Sequence, residues 1–305
     1  MKKEKGIRIK PRVKEEITGF LFAMPVILGL LIFTFLPAIQ GFIYAFFNFD
    51  GFNMGEFVGF GNFVRFFAKD RDTVYIFRNS FLYAIINVPL SLVLGYLLAL
   101  LVNTQMKGIK VFRTLFYLPC VIPGVASALL WQDLFAANGI INQILTNFGL
   151  PAATFFSEAK SSMATYIWTT TWGVGGSMVL WLASFKNIPS TLYEAAILDG
   201  ANWAKKLWYI TIPMSTAMIF YNLVTGIIGA LQLFNTYIVA SGTNGKGEGN
   251  SLYVFAVKIY NTAFVGTNPQ VGYAAAIGIV LFVIIMILTA ITFKTNKWVH
   301  YSEGD

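Results

Sequence analysis

The chain alternates between long apolar runs and short polar joins. Six runs reach the ~20 residues that an α-helix needs to cross a bilayer. They lie at about 19–47, 79–103, 112–136, 162–186, 214–241 and 271–293. The joins near 48–78 and 242–270 are about thirty residues each, below the roughly 50 of a small domain. The pattern predicts an all-α integral membrane protein with six transmembrane helices: a basic tail over 1–18, a membrane domain over 19–293 and a short tail over 294–305.

Within the runs, several positions break the apolar pattern. The first run carries Pro25 and Pro37 and is longer than a bilayer requires, so tilt or a kink should absorb the excess. After it, FVGFGNFVRFF suits a helix lying along the headgroups. Pro119 and Pro123 sit inside the third run, where each removes a helix hydrogen bond that lipid cannot replace. That means either a packing kink or a helix broken beside a cavity, as in transporters. ANGIINQILTNFGL then reads as an amphipathic connector closed by Gly149 and Pro151.

The fourth run gathers Thr169, Thr170, Thr171, Trp172, Gly173, Gly175, Gly176 and Ser177. Small residues alone would make a helix-packing face. Trp172 adds an indole beside hydroxyls, which suits a sugar path, because sugars stack their C–H faces on rings and need partners for their hydroxyls. In the fifth run Asn222, Gln232, Asn235 and Thr236 either tie helices together or face a polar passage. Gln232 and Thr236, four apart, are expected on one helical face of that passage.

Between the fourth and fifth runs lies YEAAILDGANWAKKLWYITIPM, Tyr193 to Met214. Thr191 and Glu194 have the spacing of a capping box that would start a helix there. Ala195, Ala196, Gly200, Ala201 and Ala204 would leave that helix thin enough to slot into a groove on another protein, and Pro213 is expected to end it.

Composition fits a membrane protein: 56% hydrophobic residues and 12% charged. The net charge of +8 is distributed unevenly. With the N-terminus inside, Lys2, Lys3, Lys5, Arg8, Lys10, Arg12, Lys14, Lys107, Lys110, Arg113, Lys186, Lys205, Lys206, Lys294 and Lys297 are cytoplasmic, fifteen of twenty-two basic residues. Anionic lipid headgroups account for that charge, and no nucleic acid is implied. The first run is too long for a signal-peptide core and reads as a retained span. Cys120 is the lone cysteine and His300 the lone histidine, so the chain has no internal disulfide, no cysteine metal cluster and no histidine dyad. Gly245-Lys246 fails the phosphate-loop pattern, since Ala240 and Gly247 stand where it needs Gly and Ser or Thr; SGTNGKGEGN reads as a flexible loop.

The segment EAAILDGANWAKKLWYITIP resembles the EAA loop of permease subunits of binding-protein-dependent ABC importers, in the carbohydrate group of maltose, lactose and glycerol-3-phosphate uptake. FVGFGNF, FRTLFYLP, WQDLFAANGIINQIL and VGYAAAIGIVLF are similar to other segments of that group, so the resemblance covers most of the chain. It implies the type I permease fold and a non-catalytic subunit without cofactor of its own, ATP and Mg being held by a partner ATPase. Implied partners are a second permease, two ATPase subunits, an external sugar-binding protein and the sugar itself. By resemblance, Glu194, Ala195, Ala196, Asp199 and Gly200 look like the ATPase-coupling positions, and Trp172, Ser177, Gln232, Asn235 and Thr236 fall in regions matching the substrate pathway. The second proline often found in the family's pattern is Ala217 here, which implies an entry to the fifth span straighter than in relatives.

The rival from another class is an ion-coupled secondary transporter. Such coupling needs ionisable groups inside the spans, and the six runs hold little beyond Asp133 and Lys186 near their ends. An intramembrane enzyme lacks any pairing of nucleophile and base at mid-depth.

Overall fold

The computed structural model describes residues 11–104 and 106–300. Lys2, Lys3, Lys5, Arg8 and Lys10 of the basic tail lie outside the described residues, as do residues 301–305. Among the described residues, three helices are long and apolar enough to cross a membrane: Glu15–Tyr44, Thr73–Val102 and Val271–Lys294. Two bent pairs raise the number to five, Ile109–Val121 with Gly124–Leu134 and Trp203–Met214 with Thr216–Leu231. The expected fourth span is helical but cut. Ala159–Thr171 and Gly175–Lys186 are joined by a tight turn of helix at Trp172–Val174, so neither piece has the length to cross alone.

The irregularities arise from the sequence. In the first helix a wide turn at Leu31–Phe35 precedes Pro37, which lacks the N–H a regular helix would use. In the third span the break is real: Ile122 adopts an extended backbone, as the residue before a proline prefers, and the two pieces meet at 94°. Between the first two spans the chain forms an antiparallel hairpin, Phe47–Phe49 with Met54–Phe57, ahead of the anticipated surface helix, which starts at Gly61. Buried Asn62 pins that helix to the hairpin by donating to the carbonyls of Ala45 and Phe47 at 2.9 and 3.1 Å.

The second helix, 30 residues and about 45 Å long, is the spine of the molecule. It starts six residues before the apolar run. Along it lie three apolar clusters. The first surrounds Ile76 and takes in Phe66, Leu231, Phe255 and Ile277 at the hairpin end. The second, around Tyr83 and Val88, holds Met163, Tyr166 and Ala230. The third, around Ala99 and Val102, holds Met178, Trp181 and Phe185, with Tyr193 and Ile210 packed on it at the EAA end.

At the hairpin end a helix at Phe255–Phe264, which the apolar pattern left as loop, brings in Lys258. Its ammonium lies 2.7 Å from Asp70 Oδ2 and 3.0 Å from Asp72 Oδ2, and the Tyr273 hydroxyl donates to Asp70 at 2.6 Å. Arg65 stacks 4.0 Å over the Tyr273 ring and donates to Gln270. Burial pushes the Asp70 carboxyl up, but the hydrogen bonds from Lys258, Tyr273 and the Asp72 N–H, with the Lys258 charge, outweigh it and hold the group below the ordinary carboxylate value. The glycine-rich loop is tied down rather than free: the Asn79 amide donates to the carbonyls of Asn250 and Tyr253.

Candidate functional site

The EAA segment is not one helix from Tyr193 to Pro213. It is a helix, a turn and a second helix. The first limb, Ser190–Leu198, begins one residue after Pro189 and carries no side-chain cap. Thr191 therefore lies inside the helix, and the capping box predicted with Glu194 does not form. Glu194 is exposed, and among the described residues no hydrogen bond or ion pair engages it. Ala195 and Asp199 are exposed as well, and Ala196 is half-buried.

Gly200 is not part of the thin helical side. Its φ of +70° makes the turn, with the Ala201 N–H bonded back to Ala196 O at 2.8 Å, and nothing stands within 4 Å of where a side chain would begin. That left-handed conformation is the reason for glycine here. The second limb starts on Asn202, whose Oδ1 accepts from the Lys205 N–H at 2.9 Å. It runs through a wide turn at Leu207–Thr211 and continues past Pro213 to Met214. Pro213 thus does not end it; the chain bends at Ser215, by 63°, into Thr216–Leu231. Large apolar side chains crown the turn and its second limb: Leu198 is 89% exposed and Tyr209 80%.

The polar residues of the spans meet in two clefts. One, of about 320 Å³, is lined by Asn87 and Ser91 of the second helix, Ser177 of the fourth segment and Asn222 and Thr225 of the fifth. The other, of about 240 Å³, lies at the break in the third span and joins Trp131, Thr170, Trp172 and Asn235. The Trp131 and Trp172 rings stand edge to face at 5.3 Å, and Trp131 Nε1 is buried without a partner. A hydrogen bond from Thr170 Oγ1 to Asn87 Oδ1, 2.7 Å, links the two clefts. Neither lining includes a charged side chain.

Of the residues predicted for a pathway, the structure thus brings Trp172 and Asn235 together and puts Ser177 in the adjoining cleft. Gln232 and Thr236 share no face, because the fifth helix stops at Leu231 and resumes at Thr236. Gln232 is exposed at that stop; Thr236 is fully buried and its hydroxyl is unpartnered. Asn222 donates to Met218 O in its own helix and so glues no neighbour. Both clefts rest on glycine: a side-chain carbon at Gly95 would collide with Ser177 Oγ, and one at Gly124 would meet the Asn235 amide at 2.9 Å. Sequence reasoning missed Asn87 and Trp131, while Thr170 is one of the hydroxyls it singled out beside Trp172. Asn87 beside Pro89 in an apolar run was the available signal.

Comparison with known proteins supplies the family. No protein-family model matches the chain. The probable ABC transporter permease protein YesP of Bacillus subtilis is 36% identical over all of this chain and 97% of its own length. The lactose transport system permease protein LacF of Rhizobium radiobacter is 29% identical over 92% of this chain and 95% of its own. Among solved structures, a chain of a bacterial alginate ABC transporter, crystallised with an alginate pentasaccharide-bound periplasmic protein, superposes with a TM-score of 0.82 at 23% identity, covering 95% of this chain and 97% of that one. That likeness shows the fold, and the full-length identity to the curated permeases shows the kinship. The chain is an integral membrane protein and belongs to the permease subunits of sugar ABC transporters.

Proposed function

We propose that this permease forms one half of the pathway of an ATP-driven importer of an oligosaccharide, pairing with a second permease, two ATPase subunits and an external sugar-binding protein. ATP and Mg are held by the ATPase, and this chain hydrolyses nothing. The chain crosses the cell membrane six times, the cut fourth segment serving as one crossing, with both termini and the EAA segment in the cytoplasm. The EAA turn docks in a cleft of the ATPase through Glu194, Ala195, Ala196, Asp199 and Gly200. The sugar moves past Trp172, Asn235 and Ser177, with Gln232 and Thr236 at the helix stop beside them, as the two permeases rock about the pathway.

The observation that carries this reading is the pairing of an exposed, apolar-crowned turn at one end with uncharged polar clefts at the helix break. The absence of charge from those linings also speaks against ion coupling. Affinity purification through a tag on this chain tests it. The ATPase should accompany the unsubstituted chain and be lost with Glu194→Lys, while membrane insertion is unaffected; retention of the ATPase by Glu194→Lys would sink the docking assignment.

A further inference from the structure

At the root of the EAA segment four hydroxyl side chains converge on the 63° bend. Thr211 and Ser215 are both buried, Ser215 completely. Buried hydroxyls need partners: Thr211 finds two, and Ser215 three, Ile212 O at 3.1 Å among them. Ser215 Oγ donates to Thr211 O at 2.7 Å and lies 3.1 Å from Tyr96 Oη of the second helix. Thr211 Oγ1 lies 3.3 Å from Lys206 O and 3.0 Å from Tyr193 Oη of the first limb. A hydroxyl has one proton. Carbonyls only accept, so a tyrosine donates inward wherever the serine or threonine gives its proton to a carbonyl; in both hydroxyl pairs either oxygen can be the donor. The two limbs of the turn and the spine helix are therefore joined across a bend where the backbone is weakest: Pro213 has no N–H, and Ser215 has left helical geometry.

We propose that Tyr193 and Tyr96 are positioning residues that lock the EAA turn to the second helix, so that a push on the turn moves the pathway wall instead of hinging at Ser215. This rests on the docking reading but concerns how the push is transmitted once the ATPase is bound. The tyrosines suit the task because their rings are held independently of their hydroxyls. Tyr96 packs edge to face on Trp181 and Phe185, at centroid distances of 5.0 and 5.1 Å, so Tyr→Phe keeps the packing and removes only the hydroxyl.

The test uses the assembled complex, purified through this chain and reconstituted in lipid, with spin labels at Lys205→Cys on the turn's second limb and Leu101→Cys at the end of the second helix, in a Cys120→Ser background. MgATP with vanadate drives closure. The labelled complex should give one distance, unchanged by the nucleotide. In Tyr96→Phe and Tyr193→Phe a second distance should appear under MgATP and vanadate, its share rising roughly three- to tenfold for the loss of one ordinary hydrogen bond. Ser215→Ala should behave likewise, and Ser215→Thr should restore the single distance. Unchanged distances in both phenylalanine variants, with the ATPase still bound, overturn the proposal. So does loss of the ATPase from those variants, which would make the hydroxyls part of docking. Retention of the ATPase by Glu194→Lys, by contrast, defeats the docking reading and leaves these distances interpretable.

Discussion

The two ends of the molecule solve the same problem in opposite ways. At the hairpin end the charges are closed within the chain: Lys258 satisfies two aspartates, Tyr273 reinforces one of them, and Arg65 covers the tyrosine. At the EAA end neutral hydroxyls join the bend to the turn and the second helix, and large apolar side chains such as Leu198 and Tyr209 stand uncovered. A desolvated ion cluster suits an end that must hold its own shape. Neutral hydroxyls beneath exposed apolar residues suit an end that completes itself on something else.

That contrast can be broken most forcefully at Lys258. Lys258→Met leaves two carboxylates without their cation and should lower stability by about 3–5 kcal/mol, read as a large drop in the detergent melting temperature. A normal melting temperature would mean the cluster is not what holds this end. At the other end, Glu194→Lys should leave melting unchanged yet weaken ATPase retention by about 2–5 kcal/mol, what a charge pair between Glu194 and a basic residue of the proposed ATPase cleft would be worth. If melting falls instead, Glu194 belongs to the fold and not to a partner.

Acid should find the hairpin end first. The folded-state pKa of Asp70 is lowered, so its contribution is present above the ordinary value of 3.8 and is lost as pH falls below it. The melting temperature should therefore decline below about pH 4, and Asp70→Asn should flatten that part of the profile; an unchanged slope in the variant would assign the acid sensitivity elsewhere. Smallest are the pathway substitutions. Asn235→Leu should slow uptake several-fold, roughly what one hydrogen bond is worth, and Gln232→Leu less, with assembly intact in both. Normal uptake kinetics in both variants would make these residues packing.

Whether a feature is legible in the sequence depends on how far apart its causes lie. The spans depend on composition within a window, and the break in the third depends on Pro123 and the residue before it, so both can be read along the chain. The EAA helix departs from its expected form for a local reason: Thr191 and Glu194 have capping spacing, yet Pro189 has already started the helix, and Gly200 serves a turn rather than a groove. The fifth run conceals its own interruption, because Gln232 to Asn235 leave the helix without a proline to announce it. The ion cluster and the hydroxyl junction are out of reach. Asp70 meets Lys258, and Tyr96 meets Ser215, across more than a hundred residues of chain.

The glycines beneath the clefts bear on how such a transporter could change its diet. Ser177 and Asn235 each lie against a residue with no side chain, Gly95 and Gly124. Each cleft position therefore has its room already spoken for. A larger residue at 177 or 235 has nowhere to go on its inner side, and any side chain at 95 or 124 displaces the polar group above it. Acceptable variation at these sites is paired or of equal size, and on the pathway proposed above a shift to a new sugar is easier to reach through Asn87, Thr170 or Trp172, whose space no glycine fixes.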